Sequence, residues 1–250
     1  MLTFAAMNNA EWFVDWFNSP YYHLLYNNRN DSEANLFIDR LCLELHLQPR
    51  AKLWDIACGK GRHAIALNRK GFDVTGTDLS ANSISEASEH NSDTLHFFVH
   101  DMRLPLRSDY FDAVFNLFTS IGYFKDHKDN YAVFKNVAAA LKHNGCFVID
   151  FLNAEKICEA SFQPKYTEQR GDITFVIRKK IVNNAIIKHI EFTDAGKAYY
   201  FEESVSLLRK HDFEDFASQA GLSLCHTFGN YQLEPFSEKD SDRLILIFKK

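Results

Sequence analysis

Residues 53–62, Leu-Trp-Asp-Ile-Ala-Cys-Gly-Lys-Gly-Arg, constrain this chain more than any other stretch. The apolar run from Lys52 to Ala57 reads as a short strand. It enters a tight turn at Gly59 and Gly61, and a helix over Arg62 to Lys70 follows at once. Glycine frees the backbone to take left-handed angles and lets a ligand approach the main chain closely. A strand passed through such a turn into a helix is the opening unit of a parallel α/β sheet.

The alternation continues. Asp73 to Thr77, Leu95 to His100, Phe111 to Asn116 and Phe147 to Phe151 read as further strands. Ser80 to His90 and Tyr131 to Leu141 read as the helices between them, with Gly71 and Gly145 past helix ends. The pattern then changes. Ile173 to Val182, Ala185 to Phe192 and Lys197 to Leu208 are β-rich, separated by Asn183-Asn184 and Asp194-Ala195-Gly196, which are hairpin turn signals. A helix over Asp212 to Ala220, closed by Gly221, and strands near Ser223 to Phe228 and Arg243 to Phe248 restore the α/β pattern. Ahead of it all, Glu11 to Leu47 reads as helical, broken near Asn18-Ser19-Pro20 and restarted at Asp31-Ser32-Glu33.

These readings predict an α/β fold: a seven-stranded, mostly parallel, doubly wound sheet with an antiparallel last strand. Residues 1–48 form a helical amino-terminal cap, 49–169 and 209–250 the main domain, and 170–208 an antiparallel insertion of about three strands. A chain of 250 residues with 46% apolar side chains can bury such a core without covalent staples.

Charge and cysteine usage narrow the partners. The net charge of −5 gives no basic footprint for nucleic acid. The five cysteines, Cys42, Cys58, Cys146, Cys158 and Cys225, form no Cys-x-x-Cys pair, so neither a zinc ribbon nor a redox dithiol is indicated. An odd, scattered set fits a reducing compartment. No apolar run reaches the ~18 residues of a membrane span, and the first residues lack a secretory pattern. The expectation is a cytoplasmic protein.

Open parallel sheets bind ligands beyond the carboxyl ends of their strands. Three acids sit there: Asp55 just before the turn, Asp78 at the end of the second strand, and Asp101 at the end of the third. A carboxylate at Asp78 can accept hydrogen bonds from both hydroxyls of a ribose. Asp101 can accept from an adenine amino group, with Met102 supplying a backbone donor and an apolar wall.

With these residues the chain resembles the class I, Rossmann-like S-adenosylmethionine-dependent methyltransferases. Asp55-Ile-Ala-Cys-Gly59-Lys-Gly61 matches their first motif, with Ala57 in place of a glycine. Their acid after the second strand falls on Asp78 and their adenine-side acid on Asp101. Phe111 to Asn116 and Leu141 to Asp150 match the fourth and fifth strand regions. The resemblance covers residues 50–152 strongly and the final helix and strands weakly. It extends to bacterial members with a Tyr-x-x-x-Tyr-x-x-Arg segment, here Tyr22, Tyr26 and Arg29, which share the run Asn116 to Phe124.

The resemblance implies S-adenosyl-L-methionine as cofactor and a small-molecule acceptor. It implies that Asp55 anchors the turn and faces the cofactor's amino group, and that the backbone at Ala57, Gly59 and Gly61 lies along the methionine portion. Asp78 would hold the ribose, Leu79 would pack on the adenine, and Asp101 and Met102 would frame it. Asn116 and Leu117 would floor the sulfonium. Tyr22, Tyr26 and Arg29 would share one helix face, with the Arg29 guanidinium meeting the cofactor carboxylate. The position of the insertion, just after the fifth strand and beside the crevice, leaves two readings open: acceptor recognition, with Tyr199, Tyr200 and Glu203 as lining, or a dimer contact or surface cover.

Two other classes compete. Gly59-Lys-Gly61-Arg-His-Ala64 also satisfies the nicotinamide oxidoreductase pattern, with Asp78 as its acid. Against it stand Asp55, the Asp101-Met102 corner and the lack of a Tyr-x-x-x-Lys pair. A non-catalytic cofactor-binding module has the same sequence signature. His63, His100 and His127 form no metal-spaced set and read as structural or surface histidines. No Gly-x-Ser-x-Gly elbow, Walker motif, Asn/Asp-Pro-Pro-aromatic end to the fourth strand or Pro-Cys nucleophile occurs.

Overall fold

The computed structural model describes residues 12–26, 31–159 and 165–250. Three helices come first: α1 (Trp12–Phe17), α2 (Pro20–Leu25) and α3 (Asp31–Glu44). Then β1 (Lys52–Ile56), α4 (Arg62–Arg69), β2 (Asp73–Asp78), α5 (Ala81–Ala87), β3 (Leu95–Val99), β4 (Phe111–Asn116), α6 (His127–Ala140), β5 (Leu141–Leu152) and α7 (Ala154–Glu159) follow. Four strands come next: β6 (Lys165–Arg170), β7 (Ile173–Val182), β8 (Ala185–Asp194) and β9 (Lys197–Ser206). The chain closes with α8 (Lys210–Gln219), β10 (Ser223–Phe228) and β11 (Arg243–Lys249).

The main sheet has seven strands in the order β10-β11-β5-β4-β1-β2-β3. β11 pairs antiparallel with both β5 and β10, and the remaining neighbours are parallel. The chain runs outward from β1 through β2 to β3, then returns to place β4 on the other side of β1. That reversal opens a crevice beyond the carboxyl ends of β1 and β4, where open α/β sheets take their ligands.

Side chains alternate across the sheet because a strand has a period of two. Trp54, Ile56, Phe147, Ile149 and Phe151 face a core shared with α6 and α8. Leu53, Val74, Val148 and Ile245 face a second core shared with α3 and α4. α3 is therefore a layer of the sheet and not a cap: Phe37, Ile38 and Leu41 are fully buried in that second core. The cap over the crevice reduces to α1 and α2.

The insertion is a separate antiparallel sheet of four strands, β6-β7-β8-β9, where the sequence suggested three. Its turns match their sequence signals: Asn183 and Asn184 both have positive φ, as do Ala195 and Gly196, the pattern of a hairpin whose twist suits its strands. β6 escapes the sequence reading because Lys-Tyr-Thr-Glu-Gln-Arg carries no apolar run; pairing with β7 makes it a strand. The inner face of this sheet, with Phe175, Ile177, Ile190 and Phe192, packs on Trp16 and Leu25 of the two cap helices. The other departure lies at β5, which begins at Leu141, where the sequence pattern continues the preceding helix; Gly145 sits inside this strand.

Candidate active site

A cavity of about 380 Å³ opens at the switch point between β1 and β4. Its floor is the turn after β1, with Ala57, Cys58, Gly59 and Lys60. One side carries Asp78, Leu79 and Ser83, and another His100, Asp101 and Met102. Phe118, Thr119, Ser120, Tyr123 and Phe124, after β4, close a third, and Phe13, Phe17, Tyr22, His23 and Tyr26 of the cap form the roof.

The turn holds its shape through backbone conformation. Ala57, Gly59 and Gly61 have φ of 55°, 56° and 80°. Ala57 is a residue with a Cβ in the left-handed region, which costs roughly 1–2 kcal/mol relative to the right-handed form. Phe118 and Thr119, with φ of 73° and 71°, repeat this on the opposite wall. Non-glycine residues kept in such conformations concentrate where a site has to present its backbone in one way. The two glycines do different work. A Cβ built on Gly59 would meet nothing within 4 Å, so this position opens on the cavity. One built on Gly61 would lie 2.5 Å from the Phe97 ring, so Gly61 serves helix–sheet packing.

The three acids also separate. Asp78 lies in the cavity wall. One oxygen accepts the Gly59 N–H and the other the Ser80 N–H, both at 2.8 Å. Burial pushes its pKa up, against these backbone hydrogen bonds, which favour the charged form. Each carboxylate oxygen keeps a lone pair for a ligand donor. Asp101 also lines the cavity, but Arg103 holds both of its oxygens, with Nη2 to Oδ2 at 2.6 Å. Burial raises its pKa, and the Arg103 hydrogen bonds and charge outweigh that and hold it below the usual carboxylate value.

Asp55 is outside the cavity wall and 1% exposed. Its Oδ2 accepts the Ala64 N–H at 3.1 Å, tying β1 to the first turn of α4. Burial pushes its pKa to about 7. The residue anchors the turn and does not face the cavity. Asn116 and Leu117 also depart from the expectation that they floor the site. Both are buried behind the wall: Asn116 donates from Nδ2 to the Ile56 carbonyl at 3.2 Å, and Leu117 packs into the α3–α4 core. Tyr22 and Tyr26 are in the roof. Arg29 lies outside the described residues. Tyr199, Tyr200 and Glu203 are absent from the cavity lining.

The cap is fixed from two sides. The Ser80 hydroxyl donates to Asn18 Oδ1 at 2.9 Å, and Asn82 Nδ2 donates to the Asn18 carbonyl at 2.9 Å, joining the α1–α2 connection to the start of α5. Tyr21 donates to Asp194 at 2.7 Å on the insertion.

A methyltransferase domain family matches residues 54–145. The dTDP-3-amino-3,4,6-trideoxy-alpha-D-glucopyranose N,N-dimethyltransferase of Streptomyces venezuelae is 31% identical over 80% of this chain and 88% of its own length. The chain belongs to the S-adenosylmethionine-dependent methyltransferase family. A glycine/sarcosine N-methyltransferase of Aphanothece halophytica is 28% identical over 89% of this chain and 83% of its own length. The fold superimposes on a crystal structure of an S-adenosylmethionine-dependent methyltransferase from Clostridium acetobutylicum with a TM-score of 0.77, at 21% identity, over 92% and 95% of the two chains. Against two other relatives, the YqeM protein of Bacillus subtilis and a glycine/sarcosine/dimethylglycine N-methyltransferase of Actinopolyspora halophila, it spans 56% and 39% of their lengths.

The cofactor of this methyltransferase family, S-adenosyl-L-methionine, fits the donor set. The open space above Gly59, the remaining lone pairs of Asp78 and the apolar pair Leu79 and Met102 suit a backbone-hugging chain, a ribose and a flat base. The aromatic walls are not legible in the sequence, since Phe13, Phe17, Phe118, Tyr123 and Phe124 look like core residues in a chain with 23 phenylalanines. His63 and His100, which read from the sequence as structural or surface histidines, also line the cavity; His63 stacks on Phe118 with ring centroids 5.7 Å apart. The run Asn116 to Phe124 was the available signal.

Proposed function

We propose that this methyltransferase transfers the methyl group to a nitrogen of a small amine acceptor within the 380 Å³ cavity. The observation that carries the reading is the cavity itself: it lies at the switch point, has the size of a small-molecule site, and is walled by aromatic rings. The names of the relatives support the nitrogen: two amino-sugar N,N-dimethyltransferases and several glycine/sarcosine N-methyltransferases. When bound, S-adenosylmethionine supplies an activated methyl on a sulfonium.

The work of the chain is positioning. Asp78 would hold the ribose, the Ala57 to Gly59 backbone the methionine portion, and Leu79 and Met102 the adenine. The rings of Phe13, Phe17, Tyr22, Tyr26 and Tyr123 exclude water and offer π-faces that favour positive charge. Alignment of reactants can supply up to ~7–11 kcal/mol of a barrier. An amine that enters neutral needs only alignment for the transfer itself, so no general base is assigned. The Arg62 guanidinium lines the cavity, 4.8 Å from the Phe118 ring centroid, and is suited to an anionic group of cofactor or acceptor.

Among the described residues no helix is long and apolar enough to cross a membrane, and all five cysteines are free. Both fit the cytoplasm, the location we assign. The test is a methyl-transfer screen with labelled cofactor across amino sugars, glycine, sarcosine and other small amines. Label appearing on an amine nitrogen is the expected result. Label confined to oxygen, carbon or sulfur acceptors would overturn the nitrogen assignment, and no turnover on any acceptor would leave a binding module.

A further inference from the structure

No described residue of the insertion lines the cavity, yet the insertion holds the roof in place. The link is Glu203 on the inner face of β9, 8% exposed. Its Oε1 accepts the Trp16 indole N–H and the Tyr26 hydroxyl, each at 2.7 Å. Its Oε2 pairs with Lys188 Nζ at 2.7 Å. Lys188 in turn donates to the Tyr26 hydroxyl oxygen at 2.5 Å. We propose that Glu203 is a positioning residue of the active site, setting the Tyr26 wall of the cavity from the insertion.

Strand register places these groups together. Lys179, Lys188 and Glu203 lie in one cross-strand row over β7, β8 and β9. Like charges directly opposite each other are unfavourable, and Glu203 supplies the negative charge this row needs. A buried carboxylate with two neutral donors and an ammonium is well satisfied; without them it would be costly. The consequence falls on Tyr26. Its proton is directed to Glu203 and its oxygen receives Lys188, so the hydroxyl is engaged away from the cavity and the ring forms the wall. Burial, and then the charge of Glu203, push the phenol well above its ordinary pKa, which removes it as a base. Tyr22, whose ring centroid is 5.0 Å from that of Tyr26 and 5.6 Å from that of Trp16, is held in the same stack.

The inference rests on the cavity being the cofactor site. The test is a double-mutant cycle read as adenosylhomocysteine affinity by calorimetry on the full chain, using Glu203→Ala, Tyr26→Phe and the pair. If Glu203 acts through the Tyr26 hydroxyl, each single change weakens binding at least about fivefold, the scale of one lost hydrogen bond. The double variant is then no weaker than the worse single one, within about twofold. Glu203→Gln, whose Oε1 still accepts from Trp16 and Tyr26, restores part of the loss, and Glu203→Leu, which keeps the bulk and lacks the acceptor, replaces Glu203→Ala in the cycle if the alanine variant does not fold. Losses that multiply in the double variant, or a Glu203 variant lacking the acceptor that binds like the parent, overturn the proposal and reduce Glu203 to a stability element. A parent protein that does not bind adenosylhomocysteine removes the cofactor assignment of the cavity and this proposal with it.

Discussion

The carboxylate of Asp78 accepts the backbone N–H of Gly59 at 2.8 Å, across 19 residues of sequence. The acid that ends β2 and the glycine that opens the floor are thus one unit. Because the same carboxylate also accepts the Ser80 N–H, Asp78→Ala removes a ligand contact and two structural hydrogen bonds together. Adenosylhomocysteine affinity should fall at least about tenfold. Stability should fall by roughly 1–3 kcal/mol, since two backbone donors lose their partner. Calorimetry and thermal melts measure the two losses; unchanged affinity would remove Asp78 from the cofactor site.

Gly59 and Gly61 should part company on substitution. Gly59→Ala meets no neighbour, so it should fold at a cost of roughly 1–2 kcal/mol for its positive φ and lose most cofactor affinity. Gly61→Ala places a Cβ 2.5 Å from Phe97 and should lower the melting temperature markedly more. Equal melting temperatures would contradict the packing assigned to Gly61.

Asp55 makes the stability of the fold depend on pH in a direction opposite to that of a salt-bridged acid. Its pKa is raised from 3.8 to about 7 by burial. Between those values the folded chain holds a proton that the unfolded chain has lost, so the contribution of this group to stability falls as pH rises. The slope is at most roughly 1.4 kcal/mol per pH unit and ends near pH 7. Asp55→Asn should therefore gain stability relative to the parent as pH rises from 5 to 8 in denaturant titrations. A difference that does not change with pH would show that the carboxyl is charged in the folded state throughout.

Cofactor binding should quiet the cap. Asn18, bonded to the Ser80 hydroxyl at 2.9 Å, leads directly into α2, which carries the cavity residue Tyr22 and is followed at once by Tyr26. Adenosylhomocysteine should slow amide exchange across residues 12–26, and Arg29→Ala should reduce that protection if its guanidinium meets the cofactor carboxylate. Equal exchange with and without ligand would make the cap a passive cover.

Much of the fold was legible because it is written in local periodicity. The near-continuous apolar runs of β1, β4 and β11, buried on both faces of the sheet, and the apolar faces of α4 and α8 are consequences of strand and helix geometry that a sequence carries directly. So were the glycine turn, the hairpins at Asn183-Asn184 and Ala195-Gly196, and the positions of Asp78 and Asp101 at strand ends. Burial of the Asp55 carboxylate, the packing of Gly61 on Phe97 and the enclosure of Asn116 all depend on what lies across the sheet, which neighbours in sequence do not report. β6 became a strand only because β7 pairs with it. The aromatic roof and the Trp16–Glu203–Tyr26 contacts join residues up to 187 positions apart. The sequence determined the sheet, the turn and the acids, through interactions between near neighbours. Tertiary structure alone decided which acids face the cavity and what holds its roof, because those depend on contacts between segments far apart in the chain.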